Sequence, residues 1–262
     1  MSKILLISIY LGELKQYINF FLNSLKNCLK YDFILLTNDD NVYKYQIPNN
    51  LKIIFINISC FNKLVFETMN LSYDFNIKTY KLCDFKPWYG IILNEHTSKY
   101  DYWGHCDLDI IFGNIDLIYD DIFNYDVYTF DDGYGRLYGP LTIYKNSTNI
   151  NKLLIDKKSE IKDLLEHSNI YIIDEIMIFE DLSNNNLKIF KNKKHLTSKN
   201  VKNNIIKFEN NKIYMNNYEY YILHYSKYKN LFNINSFILN NNELSKFYIK
   251  KRKIFVDNIG IK

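Results

Sequence analysis

Apolar positions in this chain fall into short continuous runs separated by amphipathic stretches. Lys3 to Tyr10 is an unbroken β-branched and leucine run, the pattern of a strand covered on both faces in a parallel sheet. Gly12 lets the chain turn out of it, and Leu14 to Leu29 then puts Leu14, Tyr17, Ile18, Phe21, Leu22 and Leu25 on one helical stripe. Tyr31 to Thr37 and Leu51 to Ile58 repeat the strand pattern, Phe61 to Ser72 has helical character, and Lys78 to Leu93 predicts a helix kinked or restarted at Pro87. This order predicts an α/β fold with a mostly parallel central sheet, in which ligands bind outside the carboxyl ends of the strands. Tyr10, Thr37 and Asn38 stand at such ends and are pocket candidates.

The stretch from Tyr100 to Asn114 departs from that pattern. Tyr-Asp-Tyr-Trp-Gly reads as a strand and Ile-Ile-Phe-Gly continues it, so Asp107 and Asp109 are expected at a strand end rather than in a solvated loop. Unpaired buried charge is costly, and the natural partner for this pair is a hard divalent cation, Mn or Mg. Asp126 to Asp132 predicts a further strand, followed by a turn with Gly133, Gly135, Arg136 and Gly139, where the guanidinium suits a phosphate or carboxylate. Leu141 to Lys145 returns as a strand, and Asn149 to His167 predicts an outer amphipathic helix.

Asp174 and Glu175 then interrupt another apolar run and call for a partner or a function. Ser183 to Lys212, rich in lysine and asparagine, reads as surface loop or irregular strand, with His195 an exposed bystander. Glu219 to Tyr225 restores strand character and sets His224 near its end, with Lys227 and Lys229 following. The rest reads as short basic helices, which sets a boundary between a domain over 1–230 and a helical extension over 231–262. That extension admits a weak membrane-surface contact, a solvated tail being the simpler reading.

Composition narrows the function. The 33 basic and 29 acidic residues leave a net charge of +4, too near balance for a dedicated nucleic-acid binder. All basic residues but Arg136 and Arg252 are lysines, and the abundance of Asn, Ile, Lys and Tyr reads as AT-rich coding. The cysteines Cys28, Cys60, Cys83 and Cys106 stand far apart, which disfavours a zinc site or disulfide framework and suits a reducing compartment. No run has the signature of a signal peptide or reaches the ~20 apolar residues of a membrane span. A cytoplasmic protein is expected, in the host cytoplasm if the chain is viral. Neither a dinucleotide fingerprint nor a Walker phosphate loop is present.

Lys-x-x-Asp-Phe-Lys-Pro over Lys81 to Pro87, followed by Tyr-Trp-Gly-x-x-Asp-x-Asp over Tyr102 to Asp109, resembles a group of bacterial and viral sugar transferases. More distantly the chain is similar to the glycogenin-like and mannosyltransferase-like GT-A glycosyltransferases. The resemblance implies a single GT-A, Rossmann-like domain that moves a sugar from a nucleoside-diphosphate sugar, of UDP or GDP type, to a hydroxyl of a glycan, lipid-linked or protein acceptor. It implies Mn2+ or Mg2+ held by Asp107, Asp109 and His224, with Asp107 acting partly through the donor's ribose. Lys81, Asp84 and Lys86 would stand on the donor, Lys86 replacing the usual arginine, and Lys227 or Lys229 would add positive charge at the diphosphate. Asp174 and Glu175 fall where those families carry an Asp-Gln pair facing the reacting sugar, and a carboxylate there could deprotonate an acceptor hydroxyl. Arg136 and Gly139 would floor the acceptor side. Two alternatives are a metal-dependent nucleotidyltransferase, which would want more acidic ligands and a phosphate loop, and a non-catalytic carbohydrate-binding protein.

Overall fold

The computed structural model describes residues 3–131, 133–229, 246–250 and 253–256. Its centre is the unbroken apolar run near the N-terminus, strand β1 (Ile4–Tyr10). Successive strand side chains point to opposite faces, so β1 feeds two cores. Ile4 and Leu6 pack with Ile18, Phe21 and Leu25 of the helix Ile18–Leu25. Leu5, Ile7 and Ile9 pack on the other face with Phe61 and Val65 of the helix Ile58–Met69 and with Trp88. Coverage on both faces is why no polar alternation shows in this strand.

The central sheet has seven strands. β2 (Tyr31–Thr37), β3 (Leu51–Phe55), β4 (Tyr102–Cys106), β5 (Ile110–Phe112), β6 (Val127–Phe130), β7 (Leu141–Lys145) and β8 (Ile189–Asn192) follow in the chain. All but β5 join the sheet in the order β3-β2-β1-β4-β7-β6-β8. Only β7 runs against its neighbours, pairing antiparallel with both β4 and β6. The fold is thus mixed α/β around a mostly parallel sheet, as expected.

The acidic pair follows the end of β4, as expected, but Ile110–Phe112 does not continue that strand. After Cys106 the Asp107 N–H bonds to Pro140 O at 2.9 Å, and β5 leaves for a second, three-stranded sheet with β9 (His195–Thr197) and β13 (Ile222–His224). Two carboxylates one residue apart cannot continue a dry ladder, and the chain changes sheets across them. The expected helix over Lys78 to Leu93 is likewise a succession of single turns: Thr79–Lys81, Leu82–Phe85, Lys86–Trp88 and Tyr89–Ile92. Pro87 restarts it, and Gly90 lets its last turn lie on Trp103, whose ring would stand 2.1 Å from any Cβ there.

The Ser183 to Lys212 stretch holds more order than its composition suggests. Beyond β8 and β9 it continues into β10 (Ile206–Glu209), then β11 (Lys212–Met215) and β12 (Tyr218–Tyr220), an antiparallel meander. Its two turns are Asn210-Asn211 and Asn216-Asn217, all four at positive φ, which asparagine tolerates and tight hairpins require. The helical extension expected over 231–262 is strand wherever it is described: β14 (Lys246–Lys250) pairs with β10, and β15 (Lys253–Val256) with β14. The rest of that segment, with the membrane-surface contact read from it, lies outside the described residues. Among the described residues no helix is long and apolar enough to cross a membrane.

Candidate active site

The carboxyl end of β4 opens into a cavity of about 550 Å³. Pairing of β5 with β13 sets His224 opposite Ile110, and Tyr225 N donates to Asp109 O at 3.0 Å, so backbone register brings His224 to Asp109. His224 Nε2 lies 3.3 Å from Asp109 Oδ1, and Lys229 Nζ 2.9 Å from Asp109 Oδ2. Burial would push the Asp109 carboxyl up, but the His224 hydrogen bond and charge, joined by Lys229, outweigh it and hold the group well below the usual range. Asp107, Asp109 and His224 each offer a ligand atom within 4.8 Å of the others. The two carboxylate oxygens are hard donors that suit Mn2+ or Mg2+, and the imidazole nitrogen is a borderline donor that a transition ion such as Mn2+ takes more readily than Mg2+.

A second group of charges faces the triad across Lys86. The Lys86 ammonium, almost wholly buried, lies 2.7 Å from Asp107 Oδ1 and 3.7 Å from Asp174 Oδ2, and donates to Gly139 O at 2.9 Å. Burial opposes its charge, yet Asp107 and Asp174 more than compensate and hold its pKa above the ordinary lysine value. Asp174, 3% exposed, is raised to about 7 by burial, against the attraction of Lys86 and with help from Glu175 and Asp107. Glu175 pairs with Arg136 at 2.8 Å, and Leu137 N donates to Glu175 O at 3.0 Å. Gly139 is required here: a Cβ would meet Glu175 Oε1 at 2.4 Å and Asp174 Oδ2 at 3.0 Å.

The cavity wall therefore gathers Tyr10, Lys86, Asp107, Asp109, Arg136, Asp174, Glu175, His224 and Lys229. Other expected residues stand behind it. Thr37 is buried at the end of β2, its hydroxyl accepting from Asp39 N. Asn38 accepts from Gly12 N at 2.7 Å and so shapes the loop after Tyr10. Lys227 is exposed, with its backbone N–H on Ser198 Oγ. Gly139 contributes its carbonyl to Lys86 rather than a face to the cavity.

Lys81 and Asp84 also stay out of the wall. Both are wholly buried 2.8 Å apart, with Lys81 Nζ also donating to Leu164 O and Asn169 O. His195 is no exposed bystander, because its ring packs at 4.8 Å from Tyr138 and 5.8 Å from Phe130.

Tyr17, Tyr80, Cys83, Ile170 and Ile172 line the cavity without having been expected there. Tyr17 reads in sequence as one more residue of a helical stripe. In the fold it precedes the helix at the carboxyl end of β1, and Lys229 Nζ lies 5.5 Å from its ring centre. That position after a parallel strand was the available signal.

Among solved structures the chain is similar to mouse xyloside xylosyltransferase 1 in its apo form, with TM-score 0.43 and 8% identity over 75% of this chain and 87% of that one. It is also similar to the glycosyltransferase GlyE of Streptococcus pneumoniae TIGR4, with TM-score 0.39 and 14% identity over 73% of this chain and 45% of that one. The chain thus spans less than half of GlyE. No curated protein matches it. The family described as "Family of unknown function (DUF6625)" matches residues 6–260, and the chain belongs to that family.

Proposed function

We propose that the chain is a metal-dependent glycosyltransferase that moves a sugar from a nucleoside-diphosphate sugar to an acceptor hydroxyl. The observation that carries this reading is the convergence of Asp107, Asp109 and His224 in the wall of a cavity that Asp174 and Glu175 also line, with Lys86 between the two groups. Bound there, Mn2+ or Mg2+ would neutralise charge on a diphosphate leaving group. The glycosyltransferase names of the similar structures agree with this reading without carrying it.

The side chains divide the work. Lys229, on Asp109, adds positive charge beside the diphosphate. Lys86 holds Asp107 on one side and Asp174 on the other, and so fixes the separation of the two groups. The Asp174 carboxyl, raised to about 7 by burial, suits a general base taking the acceptor hydroxyl proton. Arg136 orients Glu175 beside it, and the Tyr10 and Tyr17 rings wall the donor side.

The test is a thermal-shift panel of UDP- and GDP-sugars with and without Mn2+, followed by transfer assays on the sugars that bind. A ligand at 100 times its dissociation constant adds about 2.7 kcal/mol of stability. Metal-dependent binding of at least one nucleotide sugar is expected. Equal melting under every condition would remove the reading.

A further inference from the structure

The loop between the helix Lys162–Glu166 and Asp174 carries a backbone outlier that the cation site does not explain. Ile172 sits at φ +55°, in the left-handed region, where a β-branched residue is strained. Its side chain is 43% exposed and lines the cavity beside Ile170, two residues before Asp174. Strain of this kind persists only where the surroundings over-determine it, and it clusters at ligand clamps.

The surroundings here are the following turn, whose Glu175 N and Ile176 N both donate to Ile172 O at 3.3 Å, and the pair Lys81 and Asp84. Asp84 accepts from the backbone N–H groups on either side of the strained residue, Tyr171 N at 3.0 Å and Ile173 N at 3.3 Å. Lys81 Nζ donates to Asp84, to Leu164 O and to Asn169 O at 2.7–2.8 Å, fixing the entry to the loop. Hydrogen bonds to ionised groups are the strong ones, and these lie wholly out of water.

We infer that Lys81 and Asp84 are positioning residues that hold Ile172 in a strained conformation, so that its side chain presents an aliphatic contact to the C–H face of a sugar acceptor and sets acceptor specificity. This rests on the glycosyl-transfer reading. An isoleucine that served only to fill space would turn inward, as Ile173 does, fully buried. Ile170 extends the apolar wall, while Arg136 and Glu175 offer donors and acceptors beside it. An apolar surface next to a few fixed polar groups matches the two chemistries of a pyranose, its ring C–H face and its hydroxyl rim.

The test compares Ile172→Asn, which tolerates the left-handed conformation, and Asp84→Asn with the wild-type chain. Melting, Mn2+ binding, amide exchange, and transfer to a panel of p-nitrophenyl glycosides from whichever nucleotide sugar the wild type uses are measured. Ile172→Asn is expected to melt at or above wild type, to bind Mn2+ with wild-type affinity, and to raise the KM for glycoside acceptors about tenfold with little change in donor KM. Asp84→Asn is expected to speed exchange at the Tyr171 and Ile173 amides about tenfold and to show the same acceptor defect. An Ile172→Asn protein that melts well below wild type, an unchanged acceptor KM, or unchanged exchange in Asp84→Asn would overturn the inference. If the wild type turns over no nucleotide sugar, the glycosyl-transfer reading falls and the acceptor contact with it, while melting and exchange still decide the clamp.

Discussion

The two charged groups on either side of Lys86 are built in different ways. Asp107, Asp109 and His224 sit at strand ends, and the pairing of β5 with β13 sets their separation. Asp174, Glu175 and Arg136 sit on two loops, fastened to each other by Leu137 N on Glu175 O and to the molecule by the buried Lys81–Asp84 pair. Sheet register fixes the first group as a by-product of folding. The second group depends on a few charged side chains placed for that purpose, which makes it the half that single substitutions can unsettle without loss of the fold.

Removing the cation ligands should have the largest functional effect. Asp109→Asn or His224→Ala is expected to abolish Mn2+ binding by calorimetry and to lower transfer at least ~100-fold, with a cooperative melting transition retained. Retained Mn2+ affinity in both variants would show that the strand-end half is not a metal site. Lys86→Met tests the link between the halves. It leaves Asp107 and Asp174 without their shared cation, and breaking a buried pair in this way costs about 3–5 kcal/mol. A denaturant midpoint like wild type would show that the halves are not joined through Lys86.

Asp174→Asn should act through pH. The folded-state pKa of Asp174, about 7, lies above the ~3.9 of an unfolded aspartate. Its contribution to stability is therefore full below about pH 4 and is lost as pH rises through 7. The variant is expected to gain stability relative to wild type at pH 8 but not at pH 4, and to lose the rise in turnover across neutrality. Parallel melting curves of the two proteins over that pH range would contradict the environment described for Asp174. The smallest effect is expected outside both halves: Asn211→Val in the hairpin turn forces a β-branched residue to positive φ, costing about 1–2 kcal/mol with transfer unchanged.

The contrast also explains what the sequence revealed. The strand-end half was legible because apolar runs mark β1 and β2 and because Asp107, Asp109 and His224 interrupt or end such runs. The change of sheets after Cys106 was not, since Ile110 to Phe112 has the same strand character whichever sheet it joins. Lys81 and Asp84, three residues apart, look in sequence like any exposed helical pair; their burial depends on carbonyls and amides more than 80 residues away. The hairpin meander was hidden by asparagines read as a coding bias, although Asn-Asn at both turns was itself the structural signal.

The reversed direction of β7 has a consequence for how such a protein can change. Because β7 starts at the rim where the parallel strands finish, the β6–β7 connection delivers Arg136 to the cavity, and the Gly139 carbonyl to Lys86, as part of a hairpin. A crossover connection would need a covering helix and a fixed span, whereas a hairpin tip can lengthen, shorten or exchange residues without re-threading the sheet. The β6–β7 connection is thus a part of the cavity wall whose length the sheet itself does not fix.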